Sequence, residues 1–120
     1  MPRQPIYHIC VDHVWRAFES GEEITAEPPP QGGDFLHFST AAQLPQSAAI
    51  HFAGREDPVL LTVDPGRLGP GLKWESSRGG TVFPHLYGPL PHDAVIRGEF
   101  FSLGGDGNPV LPPLLEEAEE

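Results

Sequence analysis

Short runs of alternating apolar and polar residues, separated by proline and glycine, dominate the hydrophobic pattern of this chain. The first run spans residues 5–11 and places Ile6, His8 and Cys10 on one face, which predicts a strand. Asp12 follows at once, where an N-cap would open a short helix that ends near a glycine at position 21. The pattern therefore begins with a strand followed directly by a helix.

A second strand and helix are predicted in the next part of the sequence. Residues 34–39 alternate with the period of a strand, and His37 lies in the middle of this run. Thr40 and Gln43 have the spacing of a capping box, and the apolar stripe after them predicts a helix that ends near Gly54. Both predicted helices thus come early in the chain.

The later runs are β-type. Residues 59–63 are apolar at nearly every position, which is typical of a central strand covered on both faces. Residues 72–75, 83–87 and 95–103 form further short or interrupted runs, with Gly98 as a candidate bulge. Strands outnumber helices, so the sequence predicts an α+β domain with mixed or antiparallel strands.

Composition indicates a folded domain in spite of many helix and strand breakers. About half of the 15 prolines and 14 glycines lie in clusters at 28–33, 65–71 and 104–109, between the predicted strands, which indicates loops rather than disorder. A hydrophobic fraction of 38% suffices for one modest core. We therefore predict a single domain over residues 1–112 and a frayed acidic tail over residues 113–120.

Charge and cysteine content limit the partners. The formal net charge of −10 disfavours a broad nucleic-acid-binding surface, because it repels a phosphate backbone at long range. A small anionic ligand held by one or two arginines is compatible with it. No apolar stretch approaches the roughly 20 residues that a bilayer requires, and the N-terminal residues lack the apolar run of a signal peptide. The single cysteine makes a reducing cytoplasm the expected compartment.

Histidines are the strongest candidates for chemistry. His8 and His37 lie mid-strand among apolar neighbours, so both imidazoles are expected to be partly buried and to need hydrogen-bond partners. Either they are structural, or they line one cleft in which an imidazole binds a hydroxyl or acts as acid or base. His85 and Tyr87 belong to an irregular segment of the kind that often carries function. The other histidines are expected to be exposed and without a role: His13, His51 and His92.

Other chemistry has less support. A zinc site built from His8, His37 and His85 is conceivable, but no His-x-x-x-His pair favours it. No glycine motif for phosphate binding is present in the sequence. Cys10 is more typical of a small core residue than of a nucleophile. Arg78, in a Gly/Ser loop, is either an ordinary solvated arginine or a group that reaches over a bound anion.

Five segments, in order along the chain, resemble the family of small bacterial proteins known as domain of unknown function 952. They are YHIC at 7–10, FLHFST at 35–40, FAGR at 52–55, LLTVD at 60–64 and FPHLYGPLP at 83–91. That family is in turn similar to the ADP-ribosyltransferase superfamily, whose compact α+β fold binds NAD in a cleft between two small sheets. The resemblance thus implies two small sheets and a nucleotide cleft.

The superfamily resemblance also implies roles for single residues. His8 matches a first-strand histidine that contacts the ribose hydroxyl on the nicotinamide side, and His37 matches a second-strand residue that flanks the nicotinamide. Ser39 would add a polar contact. Many of these transferases place a glutamate at the start of a late strand, where it stabilises the transition state. An apolar residue, Val95, takes that position here.

We therefore expect a histidine-lined cleft that binds NAD or a related nucleotide. Its expected lining is His8, His37, His85 and Tyr87, with Ser39 and Arg78 as further contacts. In a catalytic protein, His8 would position a hydroxyl and His37 would flank the base during ADP-ribosyl or phosphoryl transfer. The alternative is a non-catalytic nucleotide-binding module that has kept the cleft without the glutamate.

Overall fold

Two three-stranded antiparallel sheets and two α-helices make up most of the structure, a computed structural model that describes residues 4–25, 35–52, 58–77, 80–103 and 109–110. In chain order the elements are β1 Ile6–Val11, α1 Asp12–Glu19, β2 Leu36–His37, α2 Leu44–Phe52, β3 Pro58–Val63, β4 Leu72–Ser77, β5 Thr81–Leu86, β6 Val95–Phe100, β7 Ser102–Leu103 and β8 Pro109–Val110. The predicted α+β class, with antiparallel strands in two small sheets and early helices, is confirmed.

The first sheet has the order β1-β3-β6, so that β3 is its central strand. All six residues of β3 are buried, as the continuous apolar run predicts. On the face that looks toward the second sheet, His8 lies opposite Leu61 and Cys10 lies opposite Val59. This places an imidazole at the margin of the main core.

The second sheet has the order β2-β5-β4, and a β-bridge joins it to the first sheet. The backbone N–H groups of Tyr7 and Ser39 each donate to the other residue's carbonyl at 2.8 Å, which forms an isolated β-bridge. The predicted strand over 34–39 is therefore shorter than expected, because Ser39 has left β5 and pairs with β1. Within the second sheet, His37 lies directly opposite His85.

The main core lies between the two sheets and is closed at one side by α1. It contains buried apolar side chains from both sheets, from α1 and from the connections, among them Ile6, Phe18, Ile24, Leu36, Phe38, Val59, Leu61, Leu86 and Leu90. Full burial of one such side chain contributes roughly 1.5–3 kcal/mol. A smaller cluster on the opposite face of the first sheet is formed by Tyr7, Leu44, Leu60 and Phe101.

The helix ends follow local rules at three of the positions that the sequence identifies. The Thr40 N–H donates to Oε1 of Gln43 at 3.0 Å, and the Gln43 N–H donates to Oγ1 of Thr40 at 3.2 Å, so the capping box before α2 is confirmed. Gly21 follows α1 with φ +105°, a conformation that glycine adopts without steric cost. The predicted end of α2 near Gly54 lies outside the described residues.

The predicted N-cap of α1 is wrong. Val11 occupies the cap position without a side-chain hydrogen bond, and Asp12 is the first residue of the helix. The Asp12 carboxylate accepts a hydrogen bond from Nε of Arg16 at 2.8 Å, one helical turn later. Asp12 therefore stabilises the first turn as an ion-pair partner, because β1 runs into α1 without a free residue between them.

The predicted bulge at Gly98 is also wrong. The register between β3 and β6 shifts at Ile96, whereas Gly98 pairs regularly with Leu61. The indole of Trp15 lies on Gly98 so closely that an added Cβ would come within 2.6 Å of the ring. A side chain is excluded at this position by the packing of α1 on the sheet.

Of the proline- and glycine-rich clusters, the structure describes the one at 65–71. Residues 65–71 contain two short 3-10 turns, Pro65–Arg67 and Gly69–Gly71, as expected for a loop. The cluster at 28–33, most of the one at 104–109 and the acidic tail at 113–120 lie outside the described residues. Among the residues that are described, no helix is both long and apolar enough to cross a membrane.

The contact between Gly98 and Trp15 yields a stability prediction. Gly98→Ala should lower the free energy of unfolding by about 1–3 kcal/mol, because the new methyl group overlaps the indole. Urea denaturation measures this loss. In a Trp15→Leu background, which lacks the overlapping ring atoms, the same substitution should cost much less. Equal costs in both backgrounds would show that the indole is not the obstacle.

Candidate functional site

The outer face of the second sheet carries a cluster of aromatic and titratable side chains. His37 and His85 face the same side because they are paired across β2 and β5. Phe35, Tyr87 and Glu75 join them on this face, and we call these five residues the His85 cluster. The opposite face of the same strands supplies Leu36, Phe38 and Leu86 to the main core. The alternation of the strands thus separates a core face from a polar aromatic face.

Glu75 accepts two hydrogen bonds at one carboxylate oxygen. Nδ1 of His85 lies 2.8 Å from Oε1 of Glu75, and the Tyr87 hydroxyl donates to the same oxygen at 2.8 Å. The hydrogen bond from His85 lowers the pKa of the Glu75 carboxyl most, and the one from Tyr87 lowers it further. Because a carboxylate only accepts hydrogen bonds, Nδ1 of His85 carries a hydrogen in this contact.

Phe35 lies at the centre of the aromatic contacts. Its ring stacks on the imidazole of His85 with centroids 4.0 Å apart and an interplanar angle of 21°. It also meets His37 edge-on at 4.9 Å and Tyr87 at 5.2 Å. The rings of His37 and His85 are nearly perpendicular, with centroids 5.4 Å apart. His85 is consequently only 3% exposed, whereas His37 and Tyr87 are exposed.

The second ring nitrogen of His85 has an unusual environment. Its Nε2 atom is buried and has no hydrogen-bond partner among the described residues. Leaving a buried polar atom unpaired costs about 1–3 kcal/mol. Unpaired polar atoms of this kind are rare in native proteins and call for a specific explanation, such as a water, ion or ligand that completes the bond.

His8 contacts His37 through the backbone. Nδ1 of His8 donates to the carbonyl oxygen of His37 at 2.7 Å, and the imidazole lies 5.3 Å from the ring of Phe38. Burial lowers the pKa of His8; the bond to the carbonyl opposes this shift, and the nearby His37 adds to it. The imidazole is therefore neutral at pH 7, with its hydrogen on Nδ1 and its lone pair on Nε2.

The structure brings part of the predicted site together. His37, His85 and Tyr87 belong to one cluster, and His8 reaches it by way of the His37 carbonyl. Ser39 is buried at the bridge between the sheets, and its hydroxyl donates to Oγ of Ser47 at 2.9 Å. A ligand contact by Ser39 stays a prediction, as does a cleft shared by the rings of His8 and His37.

Two residues of the cluster were not predicted from the sequence. Glu75 supplies the carboxylate, and Phe35 supplies the central ring. In the sequence, Glu75 is only one polar residue of a short predicted strand. The register that pairs β4 with β5 cannot be derived from the sequence. Val95, which the superfamily resemblance puts at the expected glutamate position, packs against the main core. Arg78 lies outside the described residues.

The remaining candidates, Cys10 and three other histidines, are not members of the His85 cluster. Cys10 is buried, and this burial raises its pKa to about 12, which fits a core residue and not a nucleophile. His13 is exposed. His92 is exposed as well, but its ring stacks on Phe18 at 3.9 Å and its Nε2 donates to the Phe18 carbonyl at 2.9 Å. The side chain of His51 is outside the described part of the chain.

A metal centre finds no support in the part of the chain that the structure describes. Within those ranges, no group of three or more histidine, cysteine, aspartate or glutamate side chains is arranged to hold a metal ion. The zinc site suggested for His8, His37 and His85 therefore rests only on the presence of these three histidines in the sequence.

Comparison with known proteins gives a family and a structural relative. The profile of a family of proteins of unknown function, DUF952, matches residues 9–98. The crystal structure of protein CC0527 from Caulobacter crescentus is 37% identical, with a TM-score of 0.81 over 89% of this chain and 94% of that chain. The solution NMR structure of CC0527 is 38% identical, with a TM-score of 0.76 over 88% of this chain and 90% of that one. No curated protein matches the chain.

The lowered pKa of His8 predicts a pH dependence of stability. The unfolded chain has the ordinary value of 6.5, so it binds more protons than the folded chain just below that pH. The free energy of unfolding should fall as the pH drops below 6.5, by at most about 1.4 kcal/mol per pH unit for one proton.

His8→Asn is the matched variant, because its amide can donate to the His37 carbonyl but does not titrate. Urea denaturation between pH 5 and 8 should show a flatter profile for this variant than for the wild type. His13→Asn, at the exposed site on α1, should keep the wild-type slope. Parallel profiles for His8→Asn and the wild type would refute the assignment.

Proposed function

The chain belongs to the DUF952 family of proteins of unknown function, and on this premise we propose that it binds NAD or a related nucleotide at the His85 cluster. The observation that carries the proposal is the buried, unpartnered Nε2 of His85 beside the exposed rings of His37 and Tyr87. It combines an unused hydrogen-bonding atom with aromatic surfaces, which are the two features that a nucleotide site requires.

The exposed rings supply the stacking surface. His37 and Tyr87 flank Phe35 from two sides, with centroid distances of 4.9 and 5.2 Å. Stacking of a base on such a ring is worth about 1–3 kcal/mol and tolerates different bases, since each has a π face. A nicotinamide or adenine ring laid against His37 would gain this contact, in agreement with the role that the superfamily resemblance implies for His37.

The charges of the cluster suit the nicotinamide half of NAD. The ring of oxidised nicotinamide is positively charged, and the Glu75 carboxylate keeps its negative charge at neutral pH because His85 and Tyr87 donate to it. Lys73 is paired opposite His85 on β4 and supplies a positive charge near the cluster. Phosphates would lie toward Lys73, and Arg78 remains a predicted second phosphate contact.

His8 supplies a neutral acceptor at the junction of the sheets. Its Nδ1 is held by the His37 carbonyl, so its Nε2 can accept a hydrogen bond from a ribose hydroxyl. This is the role that the resemblance implies for a first-strand histidine. The proposal includes a nucleotide cleft at the junction where the two sheets meet, near the Tyr7–Ser39 bridge, as the ADP-ribosyltransferase resemblance implies.

Transfer and simple binding are the two forms of this function. In transfer, the bond between C1′ of the ribose and the nicotinamide nitrogen breaks, nicotinamide leaves with the electron pair, and an acceptor adds at C1′ and loses its proton. Val95 favours the binding form, because an apolar side chain cannot stabilise the positive charge that develops at C1′.

Direct titration tests the binding. NAD, ADP-ribose and nicotinamide mononucleotide are titrated into the 15N-labelled protein, and at least one should shift the resonances of His37 and His85. His37→Ala should lower the affinity for that ligand by about 5- to 150-fold, which is the equivalent of one stacking contact. His13→Ala removes an exposed histidine outside the cluster and should bind like the wild type. If none of the three ligands binds the wild type, the proposal fails.

Release of nicotinamide separates the two forms. A long incubation with NAD, followed by chromatography, should yield no free nicotinamide above the protein-free control if the chain is a binding module. Nicotinamide that appears with the wild type and disappears with His37→Ala would instead establish transfer or hydrolysis. The same incubation with His8→Ala shows whether the neutral acceptor is needed for turnover.

A further inference from the structure

Glu75 and His85 form a carboxylate–imidazole pair with a defined direction. Oε1 of Glu75 is 2.8 Å from Nδ1 of His85 and is also the acceptor for the Tyr87 hydroxyl. A carboxylate with two incoming donors has no hydrogen to give, so Nδ1 must be the donor. In the neutral imidazole, which carries one N–H, the lone pair is then on Nε2.

The orientation of this pair distinguishes His85 from a structural histidine. The bond to Glu75 and the stack on Phe35 fix the position and plane of the ring, yet the atom at the far end of the ring is buried without a partner. A ring held only for packing would be expected to use both nitrogens or to leave the unused one in water. The arrangement resembles a base that is oriented by a carboxylate and is ready to accept a hydrogen.

We propose that Glu75 is a positioning residue for His85, which it holds so that Nε2 accepts a hydrogen bond from an O–H or N–H group of the bound nucleotide. The identity of the ligand rests on the proposed function, whereas the tautomer of His85 does not. A site built around an acceptor discriminates strongly against analogues that lack the donor, because the buried acceptor is then left unpaired. Glu75 would thereby set ligand specificity without touching the ligand.

Access to Nε2 involves the neighbouring rings. The atom has no contact with solvent, so a ligand group reaches it only when a ring beside it shifts. In the part of the chain that the structure describes, the rings of Phe35 and His37 contact the imidazole of His85; Phe35 is half-buried and His37 is exposed. Displacement of the exposed His37 ring is the smaller change, and it would bring His37 against the incoming ligand.

The tautomer is measured first, on the protein without ligand. Long-range 1H–15N correlation spectra at pH 8 should show a pyrrole-type Nδ1 and a pyridine-type Nε2 for His85. Glu75→Gln should shift this equilibrium toward the Nε2–H form, because the amide can donate to Nδ1. Glu75→Asp keeps a carboxylate and should restore the wild-type pattern, and Tyr87→Phe, which keeps Glu75, should leave it unchanged. A wild-type His85 with a hydrogen on Nε2, or a pattern indifferent to Glu75→Gln, overturns the proposal.

The ligand is tested next with pairs that differ in one donor. Nicotinamide mononucleotide is compared with its 3-acetylpyridine analogue, which has a methyl group in place of the amide NH2 and the same charge. NAD is compared with its analogues that lack the 2′ or the 3′ hydroxyl of the nicotinamide-side ribose. One of these changes should weaken binding to the wild type by about 10-fold or more, and the arm that does so identifies the donor.

In Glu75→Gln the preferred ligand should bind about 10-fold more weakly, and its preference over the donor-lacking analogue should shrink. Glu22→Gln removes a charge from the exposed turn after α1 and should change neither quantity. This inference is overturned, and the proposed function stands, if Glu75→Gln and the wild type bind the nucleotide equally well and removal of each ligand donor leaves the affinity unchanged. If no nucleotide binds the wild type, the proposed function and the ligand half of the inference both fail, while the spectra still decide the role of Glu75.

Discussion

The two hydrogen bonds between the backbones of Tyr7 and Ser39 hold the two sheets together, and the placement of the core and of the candidate site depends on them. They form an isolated β-bridge between β1 of the first sheet and Ser39, two residues after β2 of the second, at 2.8 Å each. Because of this junction, His8 on β1 lies beside the carbonyl of His37, and the main core is enclosed between the two sheets. The Ser39 hydroxyl extends the junction to Ser47 on α2. The position of the candidate site therefore follows from one short crossing of two strands.

Where a feature depended on neighbours in the sequence, it could be predicted. The apolar run that becomes β3, the reciprocal bonds of Thr40 and Gln43, and the turn at Gly21 all follow from composition within a few residues. Features that depend on tertiary contact could not be predicted. Gly98 has the sequence signature of a bulge, but the structure requires glycine there because the indole of Trp15 lies on it. The predicted N-cap at Asp12 is wrong because β1 runs directly into α1 with no linker residue between them.

The candidate site divides along the same line. Strand periodicity and the family resemblance identify His8 and His37 in the linear sequence. His85 and Tyr87 were predicted from a segment expected to be irregular and from the same resemblance, although His85 lies in the regular strand β5. Glu75 and Phe35 became visible only with the register of β4, β5 and β2, which brings three separate segments onto one face. The carboxylate of the site thus lies on β4, whereas the superfamily resemblance implies a carboxylate at the start of β6.

Cys10, the single cysteine of the chain, has a practical consequence. Its thiol faces the main core, and burial keeps its pKa at about 12, so almost none of it is thiolate in the folded protein at neutral pH. Reaction with an alkylating reagent must therefore wait until β1 separates from the core. The rate of labelling therefore reports how often the first sheet opens, without an engineered probe.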